Sequence, residues 1–177
     1  MEIISFIDGI LPALFSKISS QVVDRIMVFI TSLGDGGFIW FILIASMLVS
    51  KKHRRAGVVS LVALGVCFFF GSFALKPLFA RVRPCNIQPG IALLIDHPSD
   101  FSFPSMHTAT SFSVAVILYC YDRRIGIPAI ILASLIALSR VYLNVHYTTD
   151  IIAGAILGTA FALLFYYLFF KFRRKDI

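Results

Sequence analysis

The stretch 56-AGVVSLVALGVCFFFGSFAL-75 contains 20 consecutive apolar or small residues and no charged side chain. About 20 such residues are what an α-helix needs to cross a lipid bilayer. The basic run KKHRR at 51–55 precedes the stretch, and Lys76 follows it directly. The stretch therefore predicts a membrane-spanning helix with charge at both ends.

The whole chain has the composition of an integral membrane protein. Of its 177 residues, 59% are hydrophobic and 14% are charged, which is too apolar for an ordinary soluble domain. We expect an all-α integral membrane helical bundle, a single domain over residues 1–177, with about five to six transmembrane helices. Further spans are predicted at residues 38–50, 106–121, 126–143 and 150–170.

The N-terminal region is interrupted by charged residues, among them Asp8, Asp24 and Arg25. We therefore expect residues 1–33 to form interfacial amphipathic helices, in preference to a short helical hairpin. The glycine-rich run at 34–37 predicts a turn, which leaves the span at 38–50 short unless it recruits residues before the glycines. The N-terminus lacks the basic leading region of a signal peptide, and the three cysteines have no metal-site or disulfide spacing.

Charge distribution predicts the orientation of the helices. The clusters at 51–55, 122–124 and 171–176 carry a net charge of +8, whereas the remaining residues carry −1. The positive-inside rule places these clusters and the C-terminus in the cytoplasm. The proline-rich loop at 76–105 is then on the extracytoplasmic face. Because topology accounts for the basic residues, binding to nucleic acid is not expected.

Three groups of polar residues fall at predicted outer ends of spans. Each group has an ordinary structural explanation when taken alone, such as cations reaching the membrane interface, a histidine near a helix start, or a His–Asp pair on one helix face. The residues are Lys76 and Arg83; Ser105 and His107; and Arg140, His146 and Asp150.

Taken together, these groups suit the chemistry of a phosphoryl group. Cations and the N–H groups of a helix start can neutralise phosphate oxygens, while one histidine attacks phosphorus and another protonates the leaving oxygen. A metal site built from the two histidines and the aspartate is the alternative, but the neighbouring cations would repel a divalent ion. We therefore expect no metal and no other cofactor.

The three motifs, in their order and spacing, resemble those of the type 2 phosphatidic acid phosphatase superfamily. The pattern is Lys, six residues, Arg-Pro; Pro-Ser-Gly-His; and Ser-Arg, five residues, His, three residues, Asp. The resemblance covers residues 76–150, with Met106 in place of the usual glycine. It implies that His146 is the nucleophile, Asp150 orients it and His107 is the general acid. It also implies that Lys76, Arg83, Ser105, Arg140 and the backbone of Met106 bind phosphate, and that Met106 brings a side chain against it.

This resemblance implies a multi-pass cell-membrane phosphatase that forms a phosphohistidine and acts on a lipid phosphate or diphosphate. Undecaprenyl diphosphate is the expected substrate, with phosphatidylglycerol phosphate or phosphatidic acid as the alternative. A non-catalytic membrane protein that binds lipid phosphates is a further alternative, although both histidines are present. The expected partners are the lipid substrate and the bilayer. The oligomeric state is not predicted.

Overall fold

A computed structural model describes residues 2–87 and 93–171, and within these ranges all regular structure is helical. A 3-10 turn at Asp35–Gly37 and π-helical turns at Gly71–Leu75 and Tyr167–Lys171 join or extend the helices. The expected all-α fold is confirmed. The α-helices are α1 (Glu2–Phe15), α2 (Gln21–Gly34), α3 (Phe38–Val49), α4 (Arg54–Phe70), α5 (Lys76–Phe79), α6 (Pro84–Ile87), α7 (Met106–Tyr121), α8 (Arg123–Tyr142) and α9 (Thr148–Tyr166).

Four segments in the described part of the chain are long and apolar enough to cross a membrane: Gln21–Val49, Arg54–Ile87, Arg123–Tyr142 and Thr148–Phe170. Helix α7 has the bounds predicted for the third span, but its 16 residues are only about 24 Å long. It is also largely enclosed, with ten buried residues that include serines and threonines. Helix α7 is therefore a central helix around which the longer helices pack.

The segment before the glycines differs from the expectation for residues 1–33. The 3-10 turn connects α2 directly to α3, so the first candidate span includes both helices. Gly36 and Gly37 have φ values of 56° and 76°, which glycine adopts freely, and they let the chain turn between the two helices. Asp24, which argued against a span, accepts a hydrogen bond from the Tyr142 hydroxyl. Only α1 keeps the character of a surface helix.

The predicted outer loop at 76–105 begins later than expected. Helix α4 continues through the π-helical turn into α5. The helix ends at Ala80, whose φ of 41° is left-handed and turns the chain away. The loop also contains the short helix α6. Residues 88–92 of this loop lie outside the described residues, as do 172–177, which hold most of the C-terminal basic cluster used to predict the orientation.

Helices α7 and α9 touch backbone to backbone through two glycines. A Cβ atom at Gly154 would lie 2.6 Å from the Ser105 carbonyl oxygen, and one at Gly158 would lie 2.2 Å from the Ala109 carbonyl oxygen. Two glycines four residues apart on one helix face allow such a close approach of two helices. The contact holds the start of α9 against the start of α7, where two of the predicted motifs lie.

Candidate active site

The predicted site residues come from places where helices begin or end. A chain of contacts, in which Asp100 bridges Lys76 and Arg83, joins five of them, namely Lys76, Arg83, Ser105, His146 and Asp150. His107 and Arg140 lie against other partners, and the side chain of Met106 packs beside Gly71. The contacts were not visible in the sequence, because most of them join residues that are far apart along the chain.

His146 is held at both ring nitrogens in the connection between α8 and α9. Its Nδ1 atom lies 3.4 Å from the Asp150 carboxylate, and its Nε2 atom lies 3.1 Å from Arg83 Nη1. Because a guanidinium group can only donate, Nε2 must accept, which leaves the ring hydrogen on Nδ1. Burial lowers the pKa of His146 to about 3, and the cations Arg83 and Arg140 act in the same direction. The imidazole is therefore neutral at physiological pH.

Asp150 has no exposed surface and is hydrogen-bonded at both carboxylate oxygens. Oδ2 accepts hydrogen bonds from the Ser102 hydroxyl at 2.5 Å and from the Tyr147 N–H at 2.9 Å, and it faces His146. Oδ1 accepts from Arg81 Nη1 at 2.6 Å. Neither Ser102 nor Arg81 belongs to the three motifs, so their contacts with Asp150 were not predicted.

Asp100 bridges the two cations of the first motif. One of its carboxylate oxygens lies 2.6 Å from Lys76 Nζ and the other lies 2.5 Å from Arg83 Nη2. Its side chain is 55% exposed, whereas those of the two cations are buried. Partial burial alone would raise the pKa of Asp100, but the contacts with Lys76 and Arg83 lower it to about 2. The negatively charged Asp100 side chain thus covers Lys76 and Arg83 on the side that faces solvent.

Ser105 caps the beginning of α7 and is completely buried. Its N–H group donates to the Asp150 carbonyl oxygen at 3.2 Å, and its hydroxyl accepts a hydrogen bond from the Thr108 hydroxyl at 3.0 Å. The first N–H groups of a helix have no partner within the helix, so the start of α7 favours a bound anion. The N–H groups that begin α7 after Ser105 are therefore candidate donors to an anion.

The side chain of Met106 packs against Cys67 and Ala109, and a Cβ atom at Gly71 would lie 2.4 Å from its sulfur atom. The glycine of the π-helical turn therefore leaves room for this side chain. Met106 also lines the cavity that Lys76 and His107 line, so its contact with a bound phosphate stays a prediction. Its backbone still belongs to the start of α7.

His107 faces a partner that the sequence analysis missed. Its Nε2 atom lies 2.8 Å from a carboxylate oxygen of Asp35, in the 3-10 turn between α2 and α3. The only hint in the sequence was the position of Asp35 in the glycine-rich turn. The His107 side chain is 22% exposed, so it remains reachable from the cavity beside it.

Arg140 projects from the last turn of α8 and is 4% exposed. Its Nη1 atom donates to the Thr31 hydroxyl at 2.7 Å. Its Nε atom is buried and has no hydrogen-bond partner among residues 2–87 and 93–171. A buried guanidinium N–H without a partner is unfavourable, so this group is available to an incoming anion.

A cavity of about 720 Å³ reaches Lys76, Asp100 and His107 at its polar end, whereas His146 and Asp150 are not among its lining residues. Phe41, Leu64 and Phe68 line its apolar part between α3 and α4. The cavity can therefore take a molecule that has a charged head and an apolar tail.

Comparisons with known proteins agree with this arrangement. Residues 56–174 match the PAP2 superfamily. The chain is 33% identical to the lipid A 4'-phosphatase of Bacteroides thetaiotaomicron, over 97% of this chain and 80% of that protein. It is 31% identical to the undecaprenyl-diphosphatase of Sulfolobus acidocaldarius, over 77% of this chain and 66% of that protein.

A solved structure supports the same conclusion. The crystal structure of a transmembrane PAP2 type phosphatidylglycerolphosphate phosphatase from Bacillus subtilis matches with a TM-score of 0.78 and 28% identity. The match covers all of this chain and 89% of that one. Fold, site and relatives together define a multi-pass membrane phosphatase that acts on lipid phosphates. The chain belongs to the PAP2 superfamily, whose model matches about two thirds of its length.

Proposed function

We propose that the chain hydrolyses a lipid phosphate or diphosphate through a covalent phosphohistidine at His146. The observation that carries this proposal is that the buried His146 ring lies between Arg83 and Asp150 and contacts both side chains. It presents a neutral imidazole whose Nε2 lone pair accepts a hydrogen bond from Arg83. A phosphate bound by Arg83 would take over this N–H group, which frees the lone pair to attack phosphorus. The carboxylate behind Nδ1 stabilises the positive charge that develops on the ring when Nε2 attacks.

The reaction proceeds in two steps. In the first, the Nε2 lone pair of His146 forms a bond to phosphorus, the bond from phosphorus to the leaving oxygen breaks, and His107 gives that oxygen a proton. In the second, His107 accepts a proton from a water molecule, whose oxygen attacks phosphorus and releases His146. Burial lowers the pKa of His107, but the Asp35 carboxylate beside it acts in the opposite direction and stabilises the imidazolium that donates the proton.

The phosphate oxygens are bound by Lys76, Arg83, Arg140, the Ser105 hydroxyl and the N–H groups that begin α7 at Met106 and His107. The partnerless Nε atom of Arg140 supports this assignment. The carboxylate of Asp100 supports it too, because its two oxygens lie on Lys76 and Arg83 as two phosphate oxygens would. The substrate must displace Asp100 from these cations in order to bind.

Replacement of Asp100 tests this displacement. Asp100→Asn keeps the size of the side chain but removes the charge that competes with phosphate for Lys76 and Arg83. We expect the inhibition constant for vanadate, which mimics five-coordinate phosphorus, to fall about threefold to tenfold. The measurement is inhibition of phosphate release by vanadate, with the neighbouring exposed acid variant Asp96→Asn as the matched control. Weaker vanadate binding in Asp100→Asn than in the control would contradict the displacement.

Undecaprenyl diphosphate is the substrate we propose. The apolar part of the cavity suits a prenyl chain, and the Sulfolobus relative is named for this activity. The phosphate of lipid A is a second candidate, because the Bacteroides relative matches nearly the whole chain. Phosphatidylglycerol phosphate is a third, from the Bacillus structure, and phosphatidic acid remains the other alternative.

A substrate panel separates these candidates. Purified protein in detergent with EDTA is given undecaprenyl diphosphate, lipid A, phosphatidylglycerol phosphate or phosphatidic acid, and phosphate release is measured. We expect the highest kcat/KM for undecaprenyl diphosphate, no loss of activity with EDTA and inhibition by vanadate. A higher kcat/KM for another lipid would replace the proposed substrate. Loss of activity with EDTA would contradict the metal-free mechanism.

The site is proposed to face the extracytoplasmic side, with the C-terminus in the cytoplasm. Support comes from the basic residues at 51–55 and 122–124, which lie at the ends of α4 and α7 opposite to the site. The same phosphate assay tests the orientation when a water-soluble short-chain lipid phosphate is added to intact cells. Release from intact cells supports the outward site, whereas release only after lysis would reverse it.

A further inference from the structure

Helix α1 carries an aspartate that contacts the first turn of α9. Oδ1 of Asp8 accepts hydrogen bonds from the Thr149 N–H at 2.9 Å and from the Thr149 hydroxyl at 2.7 Å. The Thr149 N–H is one of the groups at a helix start that have no partner within the helix. Asp8 therefore caps α9 from a different helix, more than 140 residues away in the sequence.

Arg81 connects this cap to the carboxylate behind His146. Its Nη2 atom lies 2.5 Å from Asp8 Oδ2, and its Nη1 atom lies 2.6 Å from Asp150 Oδ1. The guanidinium group also lies over the ring of Tyr147, 3.9 Å from its centre. With Arg81 on Oδ1, Asp150 can turn only Oδ2 toward His146.

The charges of these three residues matter as well as their geometry. A lone arginine beside Asp150 would cancel much of the negative charge that supports His146. Asp8 neutralises Arg81 from the other side, so the group of Asp8, Arg81 and Asp150 keeps a net charge of −1. The Asp8 and Asp150 side chains are 10% and 0% exposed, so water screens this interaction weakly.

Helix α1 has few other attachments to the bundle. None of its residues is buried, and its apolar contacts are made by Leu11 and Phe15 against the ends of α8 and α9. Ile3 and Phe6 on its outer face are 75% and 73% exposed. Asp8 is thus the main polar anchor of a helix that otherwise lies on the surface of the bundle.

We infer that Asp8 is a positioning residue for catalysis, which acts through Arg81 to hold and charge Asp150 behind His146. This inference rests on the proposed role of His146 and Asp150. It gives α1 a function in the reaction, beyond attachment to the membrane surface.

The variant Asp8→Asn tests the inference, since its amide oxygen can still cap α9 but its NH₂ group cannot accept from Arg81. We expect kcat for release of phosphate from a lipid phosphate to fall about tenfold while KM stays within twofold of its original value. Formation of the phosphoenzyme, measured by rapid quenching, should slow by the same factor. Asp8→Glu, which retains the charge, should recover at least a third of the activity.

Two further variants separate positioning from simple attachment of α1. In an Arg81→Met background, Asp8→Asn should have no further effect on kcat, because its effect passes through Arg81. Leu11→Ala, which weakens the packing of α1, should lower the melting temperature without changing kcat of the folded enzyme. Glu2→Gln, an exposed acid at the start of α1, is the matched charge control and should behave like the original protein.

Specific outcomes would overturn the inference. Unchanged kcat in Asp8→Asn would do so, as would an equal loss in the Arg81→Met background or an equal loss in Leu11→Ala. These results are distinct from failure of the proposed function, which would appear as activity in His146→Ala. If His146→Ala is inactive and Asp8→Asn is fully active, only the role of Asp8 is wrong.

Discussion

His146→Ala is expected to lower kcat for phosphate release by at least about 10⁴-fold, because it removes the atom that we propose as the nucleophile. The other groups around the phosphate would remain, so binding should be retained. Vanadate or substrate affinity in the inactive variant should stay within several-fold of the original protein. The measurement is phosphate release by purified protein, combined with a test for a phosphorylated enzyme that is stable in base and labile in acid.

The control for this experiment is a second histidine far from the site. His53 lies just before α4, at the end of the bundle opposite to the cavity, and contacts Ser50. His53→Ala should retain activity and form the phosphoenzyme. Substantial activity in His146→Ala would assign the attack to another group and overturn the mechanism, whereas loss of substrate binding would give His146 a binding role instead.

Gly158→Val is expected to prevent normal folding of the bundle. The Cβ atom it introduces would lie 2.2 Å from the Ala109 carbonyl oxygen and 2.9 Å from the Ser113 nitrogen. Both neighbours belong to the backbone of α7, so no side chain can turn away to make room. Overpacking of a rigid contact costs about 1–3 kcal/mol and often more, which is a large part of a typical folding free energy. Activity should be lost together with the fold, since α7 and α9 carry His107 and Asp150.

Gly65 provides the matched control for this effect, because a Cβ atom there would have no neighbour within 4 Å. Gly65→Ala in α4 should keep or raise the melting temperature, as alanine favours helix more than glycine does. The measurements are thermal unfolding and size-exclusion profile in detergent. A melting temperature of Gly158→Val equal to that of Gly65→Ala would show that α7 and α9 separate without loss of stability.

The helices were predictable where apolar residues run without interruption. The span predicted at 56–75 coincides closely with α4 and its π-helical turn, and residues 106–121 coincide with α7. Helix α2 was predicted as an interfacial helix and not as part of a span, because Asp24 and Arg25 interrupt its apolar residues and hydropathy does not show that Tyr142 binds Asp24. The 3-10 turn was predicted as a break, although it joins two helices into one span.

The candidate site was predictable only at the level of motifs. His146 and Asp150 are four residues apart, so their contact follows from local spacing. Ser102, Asp35 and Asp8 complete the environment of the motif residues through contacts across 48 to 141 positions in the sequence. Such contacts depend on how helices pack, which hydrophobic periodicity does not specify.

Because Met106 packs against Gly71, the size of the side chain that fits at either position depends on the residue at the other. The large Met106 side chain, between Ser105 and His107, fits because the π-helical turn that begins at Gly71 leaves room for it. This turn lies 35 residues earlier in the chain, just before Lys76. Glycine at 106 would leave a void there, whereas a side chain at 71 would displace the methionine. The tolerance of this motif for a large residue is therefore set outside the motif, by the irregular turn in a neighbouring helix.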